Sequence, residues 1–516
     1  MDYNLYQPKI NTSGRCDLLS DQSAMGSGLL GAREIDRSLF FPPPITKIED
    51  TGLSGLWLQD LALKLLYYQG YLTGFRIAEE LALPFPGVVD QLIEILKREK
   101  LVEVKTAQNA ALGEGAYIYG ITGLGISRAR EALERSQYAG PAPVPLDVYI
   151  RAIRAQGRDR TIVKDGDLRR VLAHLVLTDR SYERIGPAVN SGTSVFLYGP
   201  PGNGKTSIAR AIGNLALNES MYIPYALYID GQVVKLYDSV NHKIIPENGT
   251  KTGSTGGLKS VTGGLKPVTG GLKPVTGGLK PVTGSLRPIG SGGNLGSGGL
   301  KPPTSALRMN PRRDMRWVHI HRPFIMVGGE LTLAGLDLVF DDVHKYYEAP
   351  FQVKANGGIL LIDDFGRQQI RPRDLLNRWI VPLENRIDYL TLHTGRKVEV
   401  PFDVLVIFST NLPPKDLVDE AFLRRLRHKI EIKDPSYEQY REIFKNVAEL
   451  KGVIYSDSGL AYLLQEWYIR QERKMRASHP RDLCDQILDM ARYLNVAPEM
   501  SPQMIDRAAE AYFVEL

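Results

Sequence analysis

Two groups of residues in the sequence have the types and spacing to handle a phosphate ester. Gly199, Pro200, Pro201, Gly202, Asn203, Gly204, Lys205 and Thr206 satisfy the pattern G-x-x-x-x-G-K-[ST] at every defined position. The apolar run Val195 to Tyr198 precedes it, and an amphipathic helical pattern beginning near Ser207 follows. Glycines at these positions let successive N–H groups converge on one phosphate, and the helix N-terminus adds its positive dipole end. Lys205 is then placed to reach the β- and γ-phosphates, Thr206 to ligate Mg²⁺, and the Ser207 backbone to join the phosphate cradle. The second group is GGILLIDDFGRQ, where Gly358 and four aliphatics, Ile359 to Ile362, lead into Asp363 and Asp364. A carboxylate at the end of a buried strand neighbouring the phosphate loop can order the metal shell, which is the role expected of Asp363. Asp364 is then the residue to orient or deprotonate an attacking water.

A third apolar run, DVLVIFSTN, ends at Thr410 and Asn411. An amide at that height can hydrogen-bond both the water and the γ-phosphate. No NKxD-type guanine reader is present, although spacing alone does not choose ATP over GTP. Lys205 and Asp363 are 158 positions apart, and removing residues 250–314 still leaves 93, so further insertions are expected between them. YALYIDGQVVKLYDSVNHKII reads as a strand pair turning near Ser239 to Asn241, and LDLVFDDVHKYYEAPFQV as a second pair turning near Asp342 to His344.

The elements that must position these groups belong to a chain of 516 residues, too long for one core, so two or three domains are expected. No run of about 18 apolar residues exists to cross a bilayer and the N-terminus lacks an apolar signal segment. Only two cysteines, Cys16 and Cys484, are present, which excludes a disulfide framework and a thiolate zinc site. A cytoplasmic setting is expected. His319 and His321 alternate along a predicted strand, but no nearby Cys or HExxH pattern completes a metal site, and a structural or exposed pair is expected.

The net charge of +6 is misleading, because residues 250–314 hold six Lys and four Arg against Asp314 alone. The rest of the chain is slightly acidic. Within that stretch VTGGLKP recurs at 261, 268 and 275, and its Gly and Pro content predicts a flexible basic insertion rather than a coiled coil. Residues 1–52 are rich in Gly, Ser, Pro and Asp, with FFPPP at 40–44, and are expected to be disordered. Residues 53–146 read as three helices and a hairpin, the order of a winged helix, closed by the stiff linker GPAPVPL. The first turn of its third helix would be Gly87, Val88, Val89, Asp90 and Gln91, and residues 74–105 carry five basic and six acidic side chains. A groove-reading helix should not carry that balance, so protein docking is expected ahead of DNA binding. From Pro435 the pattern is wholly helical, with Ser456 and Ser501 at N-cap positions.

In this order the motifs resemble the AAA+ superfamily of ring-forming ATPases, over roughly residues 150–516. GPPGNGKT is similar to its Walker A, LLIDD to its Walker B and STN to its sensor 1. DEAFLRRLRHKIEI is similar to the stretch bearing its arginine finger, with Arg425 the best match and Arg424 the next, and SHPRDLCDQIL to its sensor 2, with Arg481 at the start of a lid helix. With the N-terminal winged helix, the chain looks like a group of bacterial AAA+ ATPases known mainly as predicted proteins. The resemblance implies an α/β P-loop core with a parallel sheet at 147–432, interrupted by the basic insertion, and a helical lid at 433–516. It also implies ATP and Mg²⁺ as ligands, and a homo-oligomeric ring in which Arg425 serves a neighbouring subunit's nucleotide. One departure is Asp364, where the superfamily usually has Glu, one methylene longer. The reading that follows is an ATP-hydrolysing remodeller or motor acting on a protein client, without a membrane span. The alternative is a nucleotide-gated regulator that binds DNA through the winged helix, and a P-loop kinase would leave Asn411, Arg425 and Arg481 unexplained.

Overall fold

Five short runs of aliphatic and aromatic residues build the central sheet of the computed structural model. They are β1 (Ser194–Tyr198), β2 (Phe324–Val327), β3 (Ile359–Ile362), β4 (Leu405–Thr410) and β5 (His428–Glu431), all parallel, in the order β2-β3-β4-β1-β5. Both β3 and β4 are buried at every position, as a parallel sheet covered on two faces requires. Alternation sorts the side chains between the faces. Phe196, Leu360, Ile362, Val406 and Phe408 pack with Trp379 of the helix Pro372–Asn385. Val195, Leu197, Leu361 and Ile407 pack instead with Ile208 and Ile212 of α1 (Lys205–Ala216), and with Ile185. The structure describes residues 40–106, 113–158, 162–246, 312–417 and 424–513. All fall in one unit of the chain, Phe40–Leu516.

The inserted chain between α1 and β3 builds a second layer. Strands Ser220–Pro224 and Trp317–His321 pair antiparallel, with His319 stacked on Tyr222 at a ring distance of 4.6 Å. A further five-stranded sheet runs in the order Val339–Asp341, Tyr346–Glu348, Gln232–Lys235, Ala226–Ile229, Val144–Pro145. The second expected hairpin turns where the sequence places it, between Asp341 and Tyr346. The first does not: its turn is Asp230-Gly231, both at positive φ (49° and 83°), the Asp-Gly signal of a two-residue turn, rather than Ser239 to Asn241. The two hairpins join in one sheet, where Tyr347 pairs with Val234. The GPAPVPL linker is also drawn into that sheet, with Val144 opposite Leu227.

The N-terminal elements comprise helices Gly55–Gln69, Gly74–Leu81 and Asp90–Arg98, strands Val102–Thr106 and Ile118–Ile121, and a further strand, Tyr71–Thr73, on the other side of Ile118–Ile121. The third helix begins at Asp90. Val88 and Val89 are buried, and a Cβ on Gly87 (φ 84°) would meet the Thr46 carbonyl at 2.2 Å. Of the first turn expected at 87–91, Val88 and Val89 therefore belong to the core, while Gln91 is exposed. The expectation of disorder at 1–52 is corrected for 40–52. Phe40 packs on Trp317 at 5.5 Å, Ile45 joins the core, and Ile48–Thr51 is a 3₁₀ helix; apolar surface near chain ends outweighs a loop-like composition. Similarly, the end of the basic insertion 250–314 is ordered. Asp314 is buried against Arg316, whose guanidinium also donates to the Thr51 and Pro143 carbonyls. The VTGGLKP repeat and Cys16 lie outside the described residues.

The C-terminal helices are Asp457–Leu463, Pro502–Tyr512, α2 (Tyr437–Lys451) and α3 (His479–Leu494). They share one core containing Tyr440, Phe444, Leu483 and Ile505. Ser436 caps α2 in a capping box with Gln439, and Ser456 caps the next helix. Ser501 holds the N-cap position without a side-chain cap bond. Cys484 is buried here, and burial pushes its thiol up to about 12.

Candidate nucleotide site

β1 ends at Tyr198, and the chain turns through Gly199 (φ 140°), Gly202 (φ 80°) and Gly204 (φ 82°) before α1 starts at Lys205. At Gly199 a Cβ would stand 2.2 Å from the Ile432 carbonyl, so only glycine passes at the head of β5. Lys205 is buried and its Nζ donates to the carbonyls of Gly199 (3.0 Å) and Pro200 (2.8 Å), folding the side chain back over the loop. Burial lowers its pKa, Asp364 and Asp363 oppose that, and Arg476 adds to it.

The Thr206 hydroxyl donates to Asp363 Oδ1 at 2.9 Å. These residues come from the first turn of α1 and the end of β3, which are not adjacent. β4 lies between β1 and β3, so the expected neighbour relation of the two strands is corrected to one strand removed. This places the end of β4 midway between the phosphate loop and the acidic pair. There the Asn411 Nδ2 donates to Asp364 Oδ1 at 3.1 Å. Asp364 adopts φ 49°, a left-handed conformation that a short polar side chain tolerates. The turn is held by Phe365 N–H to the Ser409 carbonyl (2.7 Å) and Thr410 Oγ1 to the Phe365 carbonyl (2.7 Å).

A cavity of about 460 Å³ opens over this loop. Pro201, Gly202, Asn203, Gly204, Lys205, Thr206 and Ser207 form its floor, Asp364 and Asn411 one wall, and Arg481 lines it from α3. Arg481 is largely exposed and pairs with Asp482 at 3.1 Å. Arg425 is not brought into this cavity. It lines a separate one of about 660 Å³ with Thr193, Ser194, Arg386, Arg424 and Arg427, at the opposite end of β1, and its Nε donates to Glu384 at 2.5 Å.

The motifs did not point to the apolar side of this cavity, made by the stretch His174 to Leu177 and by Ile443, Val447 and Leu450. A signal for the second set was present. α2 carries two apolar stripes, Tyr440, Phe444 and Ala448 facing the helical core and Ile443, Val447 and Leu450 beside them. Among the described residues no group of three or more His, Cys, Asp or Glu could hold a metal, and no helix is long and apolar enough to cross a membrane.

A family model described as a domain of unknown function, DUF8689, matches residues 436–511, the C-terminal helices. None of the curated proteins matches the sequence. Among solved structures, NtrX from Brucella abortus is similar at 15% identity, over 76% of this chain and 68% of that one, with a TM-score of 0.34. The Thermotoga maritima RuvB Holliday junction branch migration motor is similar at 14% identity, over 70% of this chain and 74% of that one, with a TM-score of 0.30.

Proposed function

We propose that the chain binds and hydrolyses ATP as a member of the AAA+ superfamily, and that it works as a homo-oligomer remodelling a protein client. The observation that carries the catalytic reading is the Thr206 to Asp363 hydrogen bond of 2.9 Å beneath a glycine loop closed by a buried lysine. A hydroxyl and a carboxylate are hard oxygen donors suited to Mg²⁺, which would neutralise phosphate charge when bound there. Lys205 exchanges its two loop carbonyls for the β- and γ-phosphates. The apolar wall from His174 to Leu177 and α2 takes the base. Asp364, with Asn411 beside it, accepts a proton from the attacking water. The water oxygen bonds to the γ-phosphorus as the bond to the β–γ bridging oxygen breaks, giving ADP and phosphate.

A protein rather than a DNA client is supported by the exposed face of helix Asp90–Arg98. Gln91, Glu94 and Arg98 lie there, and Lys97 pairs with Glu94 at 2.9 Å. Lys97 is compensated by Glu94, and Arg98 by itself is not the run of free cations that a phosphate backbone attracts. Titration of the full chain with ATP and Mg²⁺ in a calorimeter, with phosphate release followed in parallel, tests the reading. Saturable heat and phosphate release, both lost in Lys205→Ala, are expected. No heat from the parent chain overturns the proposal.

A further inference from the structure

The phosphate loop is tied to the C-terminal helices by a side chain that phosphate chemistry does not require. The pattern leaves the position of Asn203 open, yet Asn203 is buried and both ends of its amide are used. Its Nδ2 donates to Asp434 Oδ1 at 2.7 Å, and its Oδ1 accepts from the Ala477 N–H at 3.2 Å. Asp434 stands three residues beyond β5, where the chain leaves the sheet for Ser436 and α2. Ala477 lies in the turn that enters α3. Arg476, next to it, donates Nη1 to the same Asp434 oxygen. One amide therefore joins the loop, the exit from the sheet and the entry to α3.

The surroundings make the joint responsive. A Cβ on Gly202 would meet Ser478 Oγ at 2.5 Å and Arg476 Cβ at 3.6 Å, so loop and turn are in contact and neither shifts alone. Arg476 is close enough to Lys205 to lower its pKa, which puts two cations beside the place proposed for the triphosphate. An anion there attracts Arg476 away from Asp434, and Asp434 is the group that holds Asn203. Charge-assisted bonds of this kind are strong when complete and costly when half-made, so loss of one of them bears on the others.

We infer that Asn203, Asp434 and Arg476 form a latch that couples phosphate occupancy of the loop to the placement of the C-terminal helices, with Asp434 and Arg476 acting as positioning residues. The inference rests on the nucleotide site proposed above. Arg481 lines the same cavity but is exposed and paired with its own neighbour, Asp482.

The test is amide hydrogen exchange of the full chain across residues 436–511, with and without ATPγS and Mg²⁺, in the parent, Asp434→Asn and Arg476→Gln. In the parent, nucleotide changes protection around Ala477 and at the start of α2. Asp434→Asn still binds nucleotide within about tenfold of the parent affinity, Arg476→Gln binds it more weakly and is measured at saturating nucleotide, and in both that change in protection is lost. An equal change in parent and both variants overturns the latch. A parent that binds no nucleotide instead overturns the nucleotide site itself. The two variants guard each other against misfolding, which thermal unfolding without nucleotide reports, and a retained protection change in whichever variant folds also overturns the latch.

Discussion

The Asn411 amide stands 3.1 Å from Asp364 Oδ1, donating across the gap between the ends of β4 and β3. The contact engages one oxygen of the Asp364 carboxylate, and in the hydrolysis proposed above the other would face the water. General-base contributions of this kind are worth ~10² to 10⁴ in rate. Phosphate release by Asp364→Asn is expected to fall by about 10²-fold or more, with ATP affinity changed less than about fivefold. Asn411→Ala should lose rate and leave affinity similarly intact. A variant Asp364→Asn that hydrolyses ATP like the parent removes Asp364 from the reaction.

Arg425 lies at the other end of β1 from the phosphate loop, paired with Glu384, so it cannot serve the nucleotide of its own subunit in this arrangement. If it acts on a neighbour's nucleotide, its removal costs ~10³ to 10⁵ in rate. Arg425→Ala should keep ATP binding in calorimetry, and the parent's activity per subunit should rise with protein concentration. Glu384→Gln weakens the pairing of Arg425 with this position and is expected to shift that concentration dependence downward. Activity independent of concentration, together with full activity of Arg425→Ala, rules the trans role out.

How much of this was readable beforehand depends on the reach of the interactions. The phosphate loop and the acid pair are local patterns, each fixed by a strand that ends in the residues themselves. Their separation by β4 is not local, because strand order is set by which faces are covered rather than by any one strand's composition. Composition also misled at 40–52 and 312–314. Phe40, Ile45 and Asp314 sit among prolines and basic residues, and their partners Trp317 and Arg316 are distant or unremarkable in sequence. The Asn203 latch was unreadable for the same reason, as its partners are more than 200 residues away.

His479 supplies a pH dependence. Burial, reinforced by Arg476, pushes its pKa down to about 4, and Nδ1 lies 2.7 Å from the Tyr468 hydroxyl. The unfolded chain, with histidine near ~6.5, binds the proton in the window where the folded chain does not. Stability is therefore full above about 6.5 and declines as pH falls toward 4. Urea unfolding of His479→Asn should show a flatter profile across that interval, and a profile as steep as the parent's discards His479 as the cause.

The Asp314 and Arg316 pair gives the largest expected loss of stability away from the nucleotide. Both side chains are almost fully buried, with Arg316 Nη2 2.9 Å from Asp314 Oδ2 and Nη1 donating to Thr51 O (2.8 Å) and Pro143 O (3.0 Å). Removing one partner leaves the other charge buried, at a cost of about 3 to 5 kcal/mol. Asp314→Ala should lower the unfolding free energy by about that amount. Replacing the pair together by Asp314→Leu and Arg316→Met should cost less than Asp314→Ala alone, since no charge is then stranded. The carbonyls of Thr51 and Pro143 would still lose their donor, so a residual loss is expected. A double variant as unstable as Asp314→Ala would mean that those two carbonyl bonds, joining the N-terminal helices to the inserted sheet, matter more than the ion pair.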